Sequence, residues 1–337
     1  MQKGRAVRWN LGDAVIGAVV IAVVAMLIVP MPRALLDVML VFNIGFAVVL
    51  VMAAALVPDA RRFTVFPTVL VLSTLLRVGL NVSTTRLILA EADGGEVVRA
   101  FGSAVVGNNL IAGLVVFAVI TIVQLVVVAR GAERVAEVSA RFALDALPGR
   151  QMAIDADLRS GAIDAATARR RREELDTESQ LGGAMDGAMR FVKGDAIASL
   201  VIVVVNLLGG MIIGMGQRDM SATDAATTYS MLSVGEGLVA QIPSLLVAVA
   251  AGLLATRAAG MRSTSVGHSV ATQVFGHPRA LAAASVLLAL LGVLPGLPAL
   301  PFLLLAAVAG GLAAYLARRN RVEAQVQGAD ERLRPGM

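Results

Sequence analysis

Residues 103–129 read SAVVGNNLIAGLVVFAVITIVQLVVVA, and residues 130–157 continue RGAERVAEVSARFALDALPGRQMAIDAD. The first stretch has 27 residues and no charged side chain, while the second carries nine Arg, Glu or Asp residues in 28. An apolar run of that length is a candidate membrane span, because about 20 residues of helix cross a hydrocarbon core about 30 Å thick. The change at Arg130 marks where the chain leaves lipid. Dense charge then persists to Asp195, including the run Arg169-Arg170-Arg171-Arg172-Glu173-Glu174.

The composition of the whole chain agrees with this boundary. Of 337 residues 57% are hydrophobic and only 16% charged, and the mean hydropathy is +0.79. A soluble domain averages about a quarter charged. Aromatics make up only 4% and no strand-like alternation occurs. The spans are therefore helices, which satisfy their own backbone hydrogen bonds in lipid. The expected class is an all-α polytopic membrane protein, with helices at roughly 13–30, 35–57, 65–89, 103–129, 196–216, 228–256, 280–294 and 298–317. Pro30-Met31-Pro32, Pro58-Asp59 and Pro295-Gly296-Leu297-Pro298 punctuate them, since proline ends helices and glycine permits turns. The seventh is short for a full span. Lys3, Arg5 and Arg8 precede the first, which reads as a retained helix and not a cleaved leader.

Four segments follow: helices 1–4 within residues 1–129, a helical insert at 130–195, helices 5–8 within 196–317, and a basic tail at 318–337. With a cytoplasmic N-terminus, 24 Lys and Arg fall on the cytoplasmic side, against Arg33, Arg99 and Arg218 outside. Long loops count poorly, yet leaving out 130–195 still gives 13 against three. Eight spans with both termini and the insert in the cytoplasm are expected. Asp164 to Gln180 reads as a solvated helix with Arg169–Glu173 and Arg170–Glu174 at i,i+4. The formal charge of +5 reflects orientation and gives no ground for nucleic-acid binding.

Polar residues at membrane depth are the candidates for function. Ser73, Arg77, Asn81 and Thr84 share one face of the third span, and Arg86 points the other way. An arginine at the bilayer centre costs about 2.5–3.5 kcal/mol on insertion scales. Arg77 must therefore face protein or water, as part of a transport path or of a structural ion pair. Arg86, near the outer end, reads as a headgroup anchor. Glu236 lies between Gly235 and Gly237, with Gln241 and Pro243 following. That pattern suggests a packed or broken helix around a polar centre, or an interfacial acid near the outer end. Asp195, after Lys193-Gly194 at the start of the fifth span, reads on its own as a helix cap. Asn43, Asn108-Asn109, Gln124 and Asn206 suit interhelical hydrogen bonds, and Gly210/Gly214 suits close helix packing.

Several chemistries have no motif here. There is no phosphate-binding loop; Gly102 to Gly107 has the spacing but Asn108-Asn109 follows. His268 and His277 lack zinc-protease spacing, and Asp155-x-Asp157 lacks the glycine and glutamate of a calcium loop. There is no cysteine, hence no thiol chemistry. No cofactor, metal site or enzymatic activity is expected. Proton chemistry would rest on Asp13, Asp37, Asp195 and Glu236 near membrane depth, or on Asp145, Asp155 and Asp157 below it.

The stretches AERVAEVSARF (132–142) and LPGRQMAIDAD (147–157) resemble the signature of the FHIPEP family, the export-gate proteins of flagellar and virulence type III secretion systems. FVKGDAIA (191–198), LLRVGLNVSTTR (75–86) and GEGLVAQIP (235–243) extend the resemblance from the first span to the last. It implies a multi-pass protein of the bacterial inner membrane that forms a nonameric homo-oligomeric ring. Its implied partners are other export-gate membrane proteins, the secretion ATPase complex, secreted proteins and membrane lipid. The implied activity couples the proton-motive force to movement of unfolded substrates. By motif, the family's energy-coupling acid falls on Asp195. The signature acids and bases fall on Arg141, Asp145, Arg150, Asp155 and Asp157, beside Pro148, Gly149 and Gln151. Two departures stand out: Glu236 occupies a step where the family usually has aspartate, and a large soluble domain is expected after the last span where this sequence ends at Met337. The sequence is thus read as the membrane half alone or a truncated gene product. ESQL (178–181), MDGAM (185–189) and LPGLP (294–298) look more like the virulence branch than the flagellar one. The alternative is an ion-coupled transporter of small solutes with Arg77 and Glu236 at a midplane site. Such transporters are usually built from two related halves, and no internal repeat relates 1–129 to 196–317.

Overall fold

The computed structural model describes residues 11–57, 63–107, 109–258, 276–293 and 298–333. Arg61, Arg62, Asn108 and His268 fall outside them, as do the side chain of Asp13 and the basic residues of the N-terminus. Every regular element among the described residues is helical. The chain divides into two compact units, Met1–Ser263 and Thr264–Met337.

Among the described residues the first unit holds eight helices. They are α1 (Leu11–Ile28), α2 (Arg33–Leu56), α3 (Phe66–Glu91), α4 (Gly95–Val106), α5 (Leu110–Val123), α6 (Arg130–Arg159), α7 (Ala165–Gln217) and α8 (Ala222–Ala258). A π-helical segment, Gln124–Ala129, joins α5 to α6 without a break. The described residues of the second unit form a pair, α9 (Pro278–Val293) and α10 (Ala299–Leu333). Its helices run antiparallel: Gly292 lies beside Phe302 and Leu303, and the Ser285 hydroxyl donates to the Ala306 carbonyl at 2.7 Å.

Among the described residues six helical segments are long and apolar enough to cross a membrane: α2, α3, the α5–α6 rod, α7, α8 and the first part of α10. The eight expected spans, of which the seventh was expected to be short, are thereby corrected to six among the described residues, with α9 and the described part of α1 (Ile16–Ile28) apolar but shorter. At 1.5 Å per residue the 16 residues of α9 reach about 24 Å, less than a hydrocarbon core of about 30 Å. The fourth span also begins later than expected. Residues 95–106 form a separate helix, because Gly107 adopts a positive φ of 49° and the Asn109 side chain caps α5 by accepting from Ala112 N–H. Asn109 is thus a cap and not an interhelical partner. The tail continues α10 as helix to Leu333.

Helix α8 is the central element, packing against α2, α3, α4, α5, α6 and α7. It runs unbroken through Pro243, so the broken helix considered from sequence does not occur. Leu50, Phe66, Leu70, Met189, Val192 and Leu254 fill one end of the bundle. Leu36, Leu80, Ile88, Val98, Tyr229 and Leu232 fill another. Large apolar side chains such as Ile21, Ile111 and Ile212 face outward with at least 70% of their surface exposed. That distribution suits a lipid-facing exterior, where exposed apolar surface carries no penalty.

Glycines allow the closest crossings. A methyl group added at Gly235 would strike the Val98 carbonyl of α4, and one at Gly102 would strike the Met231 carbonyl of α8. Gly210 and Gly214 of α7 receive the ring of Tyr229, so the expected packing pair operates between α7 and α8. The signature segment is helical throughout: α6 passes through Pro148, with Gly149 exposed and Gln151 half-buried. After Arg159 the chain turns at Gly161 (φ 74°), and Asp164 caps α7 by accepting from Thr167 N–H at 2.9 Å. Hydrogen bonding from Thr167 holds the Asp164 carboxyl below the usual carboxylate range. The 53 residues of α7 then continue without interruption from the charged insert into the apolar bundle.

Gly235→Ala is expected to destabilise the bundle by about 1–3 kcal/mol, since the methyl meets backbone that cannot rotate away. Gly183→Ala, facing open space, should be neutral or stabilise by about 0.5–1 kcal/mol. Thermal unfolding of the two variants in mild detergent checks this, and equal midpoints would contradict the packing described.

Candidate functional site

The continuity of α7 changes the environment of Asp195. It does not cap a helix; it sits in the interior of one, at the level where the polar insert gives way to apolar sequence. The Arg77 Nη1 of α3 donates to Asp195 Oδ2 at 2.6 Å, with side-chain exposures of 0% and 1%. Two charges leave water together only if each offsets the desolvation of the other, so neither residue is tolerable there alone. Arg77 Nε and Nη2 and Asp195 Oδ1 have no further hydrogen-bond partner among the described residues. A groove of about 360 Å³ lies beside Asp195, lined by Thr74 and Val78 of α3 and by Arg190, Phe191 and Asp195 of α7. Two residues before Asp195, Lys193 forms an ion pair with Glu133 of α6 at 2.9 Å.

One turn further along both helices, Asn81 Nδ2 donates to Ser199 Oγ at 3.1 Å. Beyond it lies a third polar layer. The Thr85 hydroxyl donates to Glu236 Oε1 at 3.2 Å, and Asn206 Nδ2 bonds to Glu236 Oε2 and, at 3.3 Å, to Thr85 Oγ1. Glu236 is 3% exposed, enclosed within the bundle. Both of its side-chain partners are neutral. The flanking glycines explain how an acid reaches this depth: Gly235 lies against the backbone of α4, and Gly237 lies against Phe117 of α5 and Val203 of α7. Side chains at those positions would hold the helices apart.

A separate pair of contacts ties the π-helical segment to α8. Gln124 Nε2 donates to the Gln241 carbonyl at 3.0 Å, and Gln241 Nε2 donates to Thr121 Oγ1 at 2.6 Å. Gln124 and Asn206 therefore make interhelical bonds, as expected. Arg86 has a protein partner that sequence did not indicate: its guanidinium donates to the Leu27 and Ile28 carbonyls at 2.8 and 3.0 Å. It satisfies the C-terminal end of α1, where a cation also complements the helix dipole.

The acids of the signature segment are placed differently. Asp155 pairs with Arg172 at 2.5 Å and Asp157 with Arg171 at 3.0 Å, both across the α6–α7 turn and about half exposed. Arg150 pairs with Glu178 at 3.0 Å, and Arg141 lies 3.7 Å from Asp145 on the outer face of α6. Exposed pairs of this kind contribute about 0–1 kcal/mol each; the three that join α6 to α7 fasten the hairpin and set its register. Asp37 accepts from the backbone N–H groups of Glu96 and Val97 at 3.1 Å each, which occupies it at the N-terminus of α4. Thr84, expected beside Arg77 and Asn81, bonds back to Leu80 in its own helix, and Thr85 takes the place in the seam. Ser199, Thr85 and Glu133 were not singled out from sequence; nothing in their local spacing sets them apart from other small polar or charged residues. Among the described residues no group of three or more His, Cys, Asp or Glu could hold a metal ion.

Comparison with known proteins bears on what this arrangement is. The FHIPEP family profile matches residues 23–335. Low calcium response locus protein D of Yersinia pestis is 48% identical over 308 residues, covering 91% of this chain and 44% of that protein. Protein hrpC2 of Xanthomonas euvesicatoria is 49% identical over 327 residues, 96% of this chain and 50% of that one. Flagellar biosynthesis protein FlhA of Bacillus subtilis is 48% identical over 274 residues, 81% and 40% respectively. The chain spans about half the length of these relatives or less. No solved structure matches it. With a profile match across nearly its whole length and relatives at this identity, the chain belongs to the FHIPEP family, as a polytopic helical protein of the bacterial inner membrane.

Proposed function

We propose that this chain is an export-gate subunit of a bacterial type III secretion system, coupling the proton-motive force to translocation of unfolded proteins across the inner membrane. The observation that carries this reading is the buried Arg77–Asp195 pair at the point where α7 enters the apolar bundle. A proton delivered to Asp195 neutralises the only carboxylate bonded to Arg77 among the described residues and leaves a buried cation. An uncompensated charge of that kind costs about 3–5 kcal/mol. At 1.4 kcal/mol per tenfold, that is enough to shift a two-state packing equilibrium by roughly 10²–10³-fold. Asp195 and the insert share one helix, and Lys193–Glu133 ties the same region to α6. A change of packing at Asp195 thus reaches the signature hairpin directly.

Topology supports the same reading. Helix α1 runs parallel to α3, with Val23 beside Gly79 and the Met26 carbonyl beside Ser83. We read it as sharing the layer of α3, which it accompanies side by side over this stretch. Charge counting then keeps the N-terminus and the insert cytoplasmic. The family also implies a homo-oligomeric ring, nonameric in the resemblance, working with other export-gate membrane proteins and the secretion ATPase complex. Placement in the virulence branch rests on the ESQL, MDGAM and LPGLP stretches; the flagellar relative and hrpC2 are equally similar in identity, 48% and 49%. The role is translocation and not enzymatic catalysis. The unbroken α3 and α8 lack the discontinuous helices usual in small-solute transporters.

Asp195→Asn, introduced into the chromosomal copy, is expected to lower export at least about tenfold, with unchanged amounts of the protein in the membrane. Export at the wild-type rate would remove the mechanism. Stability separates from function in a second comparison. Arg77→Leu alone should destabilise the protein by about 3–5 kcal/mol, whereas Arg77→Leu with Asp195→Leu should recover most of that loss and still not export. Thermal unfolding together with a secretion assay reads both quantities.

A further inference from the structure

Between the two buried acids the structure holds two hydroxyl groups in matching arrangements. Ser199 on α7 accepts a hydrogen bond from Asn81 of α3. Thr85 on α3 accepts one from Asn206 of α7 and donates to Glu236. In each case an asparagine of the facing helix occupies a lone pair of the hydroxyl oxygen, so the O–H hydrogen must point elsewhere. Arg77, Asn81 and Thr85 are spaced one turn apart on α3, and Asp195 and Ser199 one turn apart on α7. Side chains at that spacing lie about 5–6 Å from each other at Cβ. The seam therefore runs Asp195, Ser199, Thr85, Glu236, over about 12 Å of helix axis, close to half of a hydrocarbon core of about 30 Å.

We propose that Ser199 and Thr85 are the relay groups that pass protons between Glu236 and Asp195, with Asn81 and Asn206 as positioning residues that orient their hydroxyls. The inference rests on the coupling role given above to Asp195. When Glu236 carries a proton, its O–H donates to Thr85 Oγ1 and the Thr85 O–H turns toward Ser199. The relay requires one water between Thr85 and Ser199 and one between Ser199 and Asp195 Oδ1, the buried carboxylate oxygen that no group among the described residues satisfies. In the transfer the O–H bond of Glu236 breaks and one forms at Asp195. Each hydroxyl and each water takes one proton and releases one, so all are returned to their starting composition. The net change is a neutral Glu236 and an ionised Asp195 becoming an ionised Glu236 and a neutral Asp195. The neutral Asp195 then releases its hold on Arg77.

Ser199→Ala and Ser199→Thr in the chromosomal copy, beside Asp195→Asn and Glu236→Gln, test the relay by export rate in H2O and in D2O. The expected result is a loss of about tenfold or more in Ser199→Ala, a larger solvent isotope effect on its residual export, and recovery in Ser199→Thr, which keeps a hydroxyl. Glu236→Gln should be as defective as Asp195→Asn. Membrane levels equal to wild type assign a loss to transport and not to folding; for a variant whose level falls, export is taken per molecule. Wild-type export by Ser199→Ala or Glu236→Gln, with Asp195→Asn inactive, would overturn the relay and leave the coupling role of Asp195 standing. Equal loss in Ser199→Ala and Ser199→Thr would also overturn it, since packing and not proton passage would then be at stake. Wild-type export by Asp195→Asn would instead remove the coupling role on which the relay depends.

Discussion

A guanidinium with no exposed surface, in the middle of an apolar helix bundle, constrains everything around it. Arg77 can occupy its position only if a carboxylate from another helix comes to it, and Asp195 is that carboxylate. The pair fixes the register of α3 against α7, and the same register sets Asn81 opposite Ser199 and Thr85 opposite Asn206. Helix α8 can then bring Glu236 to the third layer only because Gly235 and Gly237 permit its approach to α4, α5 and α7. Loss of the pair would therefore be felt beyond two residues.

Much of this was legible in the sequence because membranes simplify the reading. Apolar runs and proline punctuation gave the helical class and the place of most helices. Arg77, Asp195 and Glu236 stood out since a charge at membrane depth is expensive and therefore informative. Their partners did not stand out. Ser199 and Thr85 are ordinary residues in a membrane helix, and their roles come from tertiary register, which no local pattern encodes. The reading of Asp195 as a cap failed for a similar reason. A shift from polar to apolar composition looks like a helix start, yet helix formation depends on backbone geometry and propensity, and both continue across residues 190–197. The separate helix α4 was hidden in the opposite way, because its apolar composition merged with that of α5 until Gly107 and Asn109 divided them.

The signature hairpin and the membrane seam divide the charged residues between two energetic regimes. In the hairpin, Asp155, Asp157 and Arg150 form pairs that remain in contact with water, individually weak and sensitive to salt. In the seam, contacts are few, dry and costly to break. A protein that must hold a stable fold while some of its parts rearrange benefits from this division, since exposed pairs can exchange partners at little cost while the buried pair defines discrete states.

The uninterrupted course of α7 has a mechanical consequence. From Ala165 to Asp195 the helix extends about 45 Å at 1.5 Å per residue. If its membrane half serves as a fulcrum, a tilt of about 5° at Asp195 moves the far end of that rod by about 4 Å, given the same rise per residue. The signature segment rides on the rod through Arg150–Glu178, Asp155–Arg172 and Asp157–Arg171. A sub-ångström rearrangement around one carboxylate is thereby amplified to the size of a water molecule or more at the tip, without any hinge in between.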